Sequence, residues 1–78
     1  MTARKLLNKL HPETFVVITY YHNNESVRLE GNYKDRPVNA EDCKFVWKKE
    51  LLDSEIITVS TTEAFGKPAI EIICNYRI

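Results

Sequence analysis

The run TFVVITYY, Thr14 to Tyr21, constrains this chain more than any other segment. Its β-branched and aromatic residues suit a pleated strand. Both faces of that strand are apolar or aromatic, with Phe15, Val17 and Tyr21 on one and Val16, Ile18 and Tyr20 on the other. Such a strand is expected to be covered on both sides, so the rest of the chain must supply the covers.

Turn chemistry follows in His22-Asn23-Asn24-Glu25, since asparagine tolerates positive φ. Ser26 to Tyr33 then alternates, with Val27, Leu29 and Tyr33 inward and Arg28, Glu30 and Asn32 outward. The two strands are expected to form a hairpin. A second pair lies at the other end of the chain. Glu55 to about Thr61 puts Ile57 and Val59 on one face, and Ala69 to Ile78 has the clearest alternation of all, with Ile70, Ile72, Cys74, Tyr76 and Ile78 together. Between them Gly66 is the residue best able to take positive φ.

Two helices are expected. Thr2 is placed to cap the first, whose Ala3, Leu6, Leu7 and Leu10 draw one apolar stripe ending before Pro12. Asn39 is placed to cap the second, with Glu41 and Asp42 in its first turn and Val38 and Cys43 as a hydrophobic staple. Ala40, Cys43, Val46, Trp47 and Leu51 supply the buried stripe of this helix, which is expected to run to about Leu52; Phe45 and Leu52 widen that stripe or lie at its edge.

The order α-β-β-α-β-β predicts one α+β domain over residues 1–78, a four-stranded, mainly antiparallel sheet with helices on one face. Apolar residues make up 44% of the chain, enough for a core, and two glycines and three prolines argue against disorder. The open face would carry Val16, Ile18, Tyr20, Ile56 and Ile73 among charged residues. Five large apolar side chains are more than a small monomer readily exposes, and both hairpins leave edges able to pair between subunits. A homo-oligomer is therefore expected.

Eleven basic and eleven acidic residues cancel, which disfavours nucleic acid or an anionic membrane as partner. Nothing approaches the roughly 18 consecutive apolar residues of a membrane helix. Cys43 and Cys74 are too few for a disulfide framework and suit buried thiols in a reducing compartment, so a cytoplasmic location is expected.

The segments LLNKLHPETFVVI (Leu6–Ile18), VRLEGNYKDRP (Val27–Pro37) and LLDSEIITVSTTE (Leu51–Glu63) together resemble small proteins encoded by phages and prophages of Gram-positive bacteria. The chain departs from their pattern in its second helix, where Phe45, Val46 and Trp47 replace a brief connection. The resemblance implies a phage accessory protein acting in the host cytosol, through host interaction or counter-defence. It implies no particular reaction.

The chemistry-bearing residues point away from catalysis. Gly31 and Gly66 stand too far apart for a phosphate loop or dinucleotide fingerprint. His11, His22, Cys43 and Cys74 match no zinc spacing, and nothing in the sequence activates either thiol. No catalytic residue, metal or cofactor is expected. Arginine forks bind phosphate oxygens and aromatic rings stack on bases, so Arg28, Arg77, Tyr20 and Tyr33 are the candidates for holding a small anionic, nucleotide-like molecule where subunits meet. Phe45, Phe65, Ile18 and Ile73 are the candidates for a protein interface, in which the chain would inhibit a host enzyme. A structural accessory role with no ligand is the remaining reading. Ligand capture needs the arginines to converge; protein binding needs Phe45 or Phe65 exposed.

Overall fold

The computed structural model describes residues 1–31 and 36–76. Helix α1 (Ala3–Leu7) leads into strands β1 (Phe15–His22), β2 (Glu25–Leu29) and β3 (Val38–Asn39), then the short helices α2 (Cys43–Val46) and α3 (Lys49–Leu52), and finally β4 (Ile56–Ala64) and β5 (Lys67–Cys74). The chain is thus a small α+β domain. The expected continuation of the second strand to Tyr33 and of the last to Ile78 lies outside the described residues.

The sheet runs β2-β1-β5-β4, with β3 pairing the start of β1 at Phe15↔Asn39 and Val16↔Val38. It has five strands, not four, and it is mixed. β1 and β5 lie parallel, Val16 opposite Ile70 and Ile18 opposite Ile72, while both hairpins are antiparallel. Parallel neighbours need a long crossover, and everything from β2 to β4 provides it. Both hairpins close with two residues at positive φ, Asn23-Asn24 and Phe65-Gly66, the left-handed pair that matches the twist of the strands.

β1 is covered on both sides, as its composition requires: Val16, Val17 and Ile18 are all fully buried. The faces are reversed from expectation, however. Val16 and Ile18 belong to the main core under the helices, packed with Ile72, Cys74, Leu51, Leu52 and Trp47, and Tyr20 and Ile56 lean on it. With both sides of β1 apolar, periodicity could not choose between them. The register chooses, because it aligns Val16 and Ile18 with the apolar face of β5. Val17 instead forms a small second core with Ala64 and Ala69, flanked by Phe15.

Thr2 caps α1 as expected, its hydroxyl accepting from the Lys5 N–H at 3.3 Å. The second helix does not run unbroken to Leu52. Trp47 and Lys48 are extended (ψ 154° and 142°), dividing it into α2 and α3. Trp47, just before α3, and Leu51 and Leu52 within it are all buried in the core. Asn39 still accepts from the Asp42 N–H at 2.8 Å, but it does so from the end of β3.

Candidate functional site

The face of the sheet away from the helices is concave and polar at its centre. The register puts Arg28 of β2, Thr19 of β1, Glu71 of β5 and Ser60 of β4 on this side. Glu71 is the hub. Its carboxylate accepts from the Thr19 hydroxyl at 2.7 Å, from the Arg28 guanidinium at 3.3 Å and from the Ser60 hydroxyl at 3.2 Å. Arg28 also donates to Glu30 at 2.8 Å, to the Thr62 hydroxyl at 3.1 Å and to the Glu63 carbonyl at 2.6 Å. β2 and β4 are the two edges of the sheet, so an arginine of one bonding the other shows that the sheet curls over this face at this end.

A second contact closes the same end. The ring of Phe65 lies where a Cβ on Gly31 would stand, 2.5 Å from the nearest ring carbon. Phe65 takes φ 51°, a conformation bulky residues avoid, and the hairpin turn together with this seat on Gly31 holds it there.

The proposed ligand residues are distributed accordingly. The guanidinium of Arg28 is engaged by four intramolecular partners, Glu30, Glu71, Thr62 and Glu63, and an anion would have to displace them. Tyr20 is half-buried on the opposite face, edge-on to Tyr76 with ring centres 5.2 Å apart. Arg28 and Tyr20 therefore do not converge. Tyr33 and Arg77 lie outside the described residues.

The proposed interface residues also separate. Ile18 is fully buried in the main core and offers no surface; this corrects its expected place on an open face. Ile73 is half-buried on the concave face beside Thr19. Phe65 is partly exposed, its ring spent in part on Gly31. Phe45 is different. It is 84% exposed, on a turn of helix whose other side carries the buried Cys43, and Val46 beside it is exposed too. Lys44, Lys48 and Lys49 surround this pair in sequence and are exposed, with Glu41, Asp42 and Glu50 at its flanks.

Neither thiol has the surroundings of a nucleophile. Burial pushes Cys43 far above the ordinary thiol range, and the Asp42 carboxylate adds to the effect. Burial also raises Cys74, and the neighbouring Ser54 hydroxyl offsets part of the rise. Both are free and buried. Among the described residues, no three His, Cys, Asp or Glu side chains stand close enough to hold a metal ion, and no helix is long and apolar enough to cross a membrane.

A cleft of about 650 Å³ opens at the carboxyl ends of β1 and β5, lined by Tyr21, His22, Asn24, Ile57, Asn75 and Tyr76 among others. Its described lining carries no lysine, arginine or acid. Sequence reasoning did not find this cleft, because it arises from the parallel pairing of two strands at opposite ends of the chain.

No protein-family model matches this chain, and no curated protein and no solved structure is similar to it at a significant level.

Proposed function

We propose that this chain is a non-enzymatic binding domain that recognises a protein partner by inserting Phe45 into an apolar pocket. The single observation that carries the reading is the exposure of Phe45, at 84%, beside a backbone fixed by the burial of Cys43 and Trp47. An aromatic ring presented on a supported turn loses little conformational freedom on binding and can anchor an interface. Val46 widens the apolar contact, and the exposed Lys44, Lys48 and Lys49 favour a pocket rimmed by carboxylates. Raised thiol pKa values and an arginine held by its own neighbours support binding over covalent chemistry or anion capture. The resemblance to phage and prophage proteins supports a bacterial host protein, such as an enzyme to be inhibited, as the partner.

The test is affinity capture from a Gram-positive bacterial lysate with the folded chain and with Phe45→Ala. The reading expects a protein held by the native chain and lost from the variant, with affinity lowered about 30-fold or more, the mark of an anchor residue. Capture that is equal with both baits, or capture of nothing, overturns it.

A further inference from the structure

The two edges of the sheet are unequal. The N-terminal segment covers the start of the longer one, where the Ile56 N–H donates to the Met1 carbonyl at 2.9 Å and Thr2 bridges Glu55. Among the described residues, nothing pairs with the outer side of its middle, from Ile57 to Thr61. β4 has nine residues, and from Ile56 to Thr62 its sequence IITVSTT contains no charge, proline or glycine. Edge strands are normally blunted by charges, proline, bulges or a cover, because their unpaired backbone groups template another strand. β4 has one irregularity, at Ile57, and beyond it the ladder to β5 is regular from Thr58 to Ala64.

The backbone phase of the free edge follows from the hairpin. A two-residue turn bonds its flanking residues, Ala64 and Lys67, to each other. Alternation then points the N–H and C=O groups of Glu63, Thr61 and Val59 away from β5. The bond from Arg28 to the Glu63 carbonyl has this phase and closes the edge there. Among the described residues nothing pairs with the outward groups of Val59 and Thr61, and the side chains of Val59 and Ile57 stand 45% and 57% exposed.

We infer that this free middle of β4 pairs antiparallel with β4 of a second copy, across a two-fold axis at Val59. The sequence is complementary to itself in that register. Val59 meets Val59 of the other copy as a hydrogen-bonded pair, and Ile57 meets Thr61; Thr58 meets Ser60 on the other face. Each is a favourable cross-strand pair of β-branched or hydroxyl side chains. Like charges meet only at the ends of the register, where Glu63 comes opposite Glu55 of the other copy, whose carboxylate is already paired with the Met1 amine at 2.9 Å. The balanced total charge, eleven of each sign, adds no repulsion. A short ladder of this kind buries less than the roughly 1,200 Å² of a standard interface, so the dimer forms in a concentration-dependent way. The pairing uses a different surface from Phe45 and stands or falls without it.

Light scattering coupled to size exclusion tests the inference, with native mass spectrometry as a second reading of mass. The native chain should pass from 9.1 kDa toward twice that mass as concentration rises. Val59→Lys and Val59→Glu should each stay monomeric, and an equal mixture of the two should regain the dimer mass, because opposite charges then face each other at the two-fold. Near-ultraviolet circular dichroism of Trp47 verifies that both variants are folded. A native chain monomeric up to about 1 mM, a concentration that exposes even a millimolar dissociation constant, overturns the inference. So do a dimer that persists in Val59→Lys, a mixture of folded variants that stays monomeric, and masses that grow beyond two copies.

Discussion

β2 and β4 are both edge strands of antiparallel hairpins, yet they meet solvent in opposite ways. β2 is five residues long and carries Glu25 and Arg28, with Glu30 just beyond its end. Its arginine reaches over the concave face and fastens to the far edge at Thr62 and Glu63. β4 is nine residues long and uncharged over its first seven. The difference shows that a long edge can be guarded at its two ends only. Arg28 and Phe65 cover the β4 backbone at one end and Met1 and Thr2 cover it at the other, and among the described residues the middle of the longer strand stays bare.

The largest effect that can sharpen this contrast comes from the pair Val59 and Ile72, which face each other across adjacent strands. Ile72 is fully buried in the main core, and Ile72→Ala is expected to cost about 2–5 kcal/mol of unfolding free energy, read from the denaturant midpoint. Val59→Ala, measured in the monomer, should stay within about 0.5 kcal/mol. Equal losses at the two positions would mean that β4 is not an open edge.

The closed end gives the next effect. A methyl group on Gly31 would meet the Phe65 ring and stand 2.9 Å from the Arg36 carbonyl. Gly31→Ala is therefore expected to destabilise the fold by about 1–3 kcal/mol through overpacking. The double change with Phe65→Ala should recover part of that loss. If Gly31→Ala costs nothing, the closure of the sheet at Phe65 is wrong.

A smaller effect depends on burial rather than on edges. Cys43 and Cys74 both have pKa values raised above the ordinary thiol value of 9.0, and burial is the chief cause. The folded chain therefore keeps thiol protons that the unfolded chain releases as pH climbs past about 9. Stability gains nothing from these groups below that range and falls above it, by up to about 1.4 kcal/mol per pH unit for each thiol. Thermal melts between pH 7 and 10.5 should show the decline, and it should shrink in Cys43→Ala. A flat profile would place the thiols in water.

Much of this fold was legible in the sequence, for identifiable reasons. Local signals held: Thr2 as a cap, the Asn23-Asn24 and Gly66 turns, and the demand of Thr14–Tyr21 for two covers. Long-range pairing was not legible. Which face of β1 meets the helices depends on its parallel register with β5, and a strand apolar on both sides carries no mark of it. Ile18 was consequently expected at a surface although it lies in the core. The break at Trp47-Lys48 has no glycine or proline to announce it. Among the site candidates, Phe45 was half legible: it stands at the edge of the stripe of Cys43, Trp47 and Leu51, and a helix buried over a wide stripe could equally hide it. The confinement of Arg28 could not be read, since beyond the neighbouring Glu30 it depends on partners brought from two distant strands, Thr62 and Glu63 of β4 and Glu71 of β5.

The claim that β4 presents an open, pairing-competent edge is tested most directly by residue-resolved amide hydrogen exchange at low and high protein concentration. Thr58 and Ser60, bonded to β5, should be protected at both, whereas Val59 and Thr61 should exchange fast when dilute and become protected when concentrated. Protection of Val59 and Thr61 in dilute solution, or exchange that ignores concentration, would contradict it.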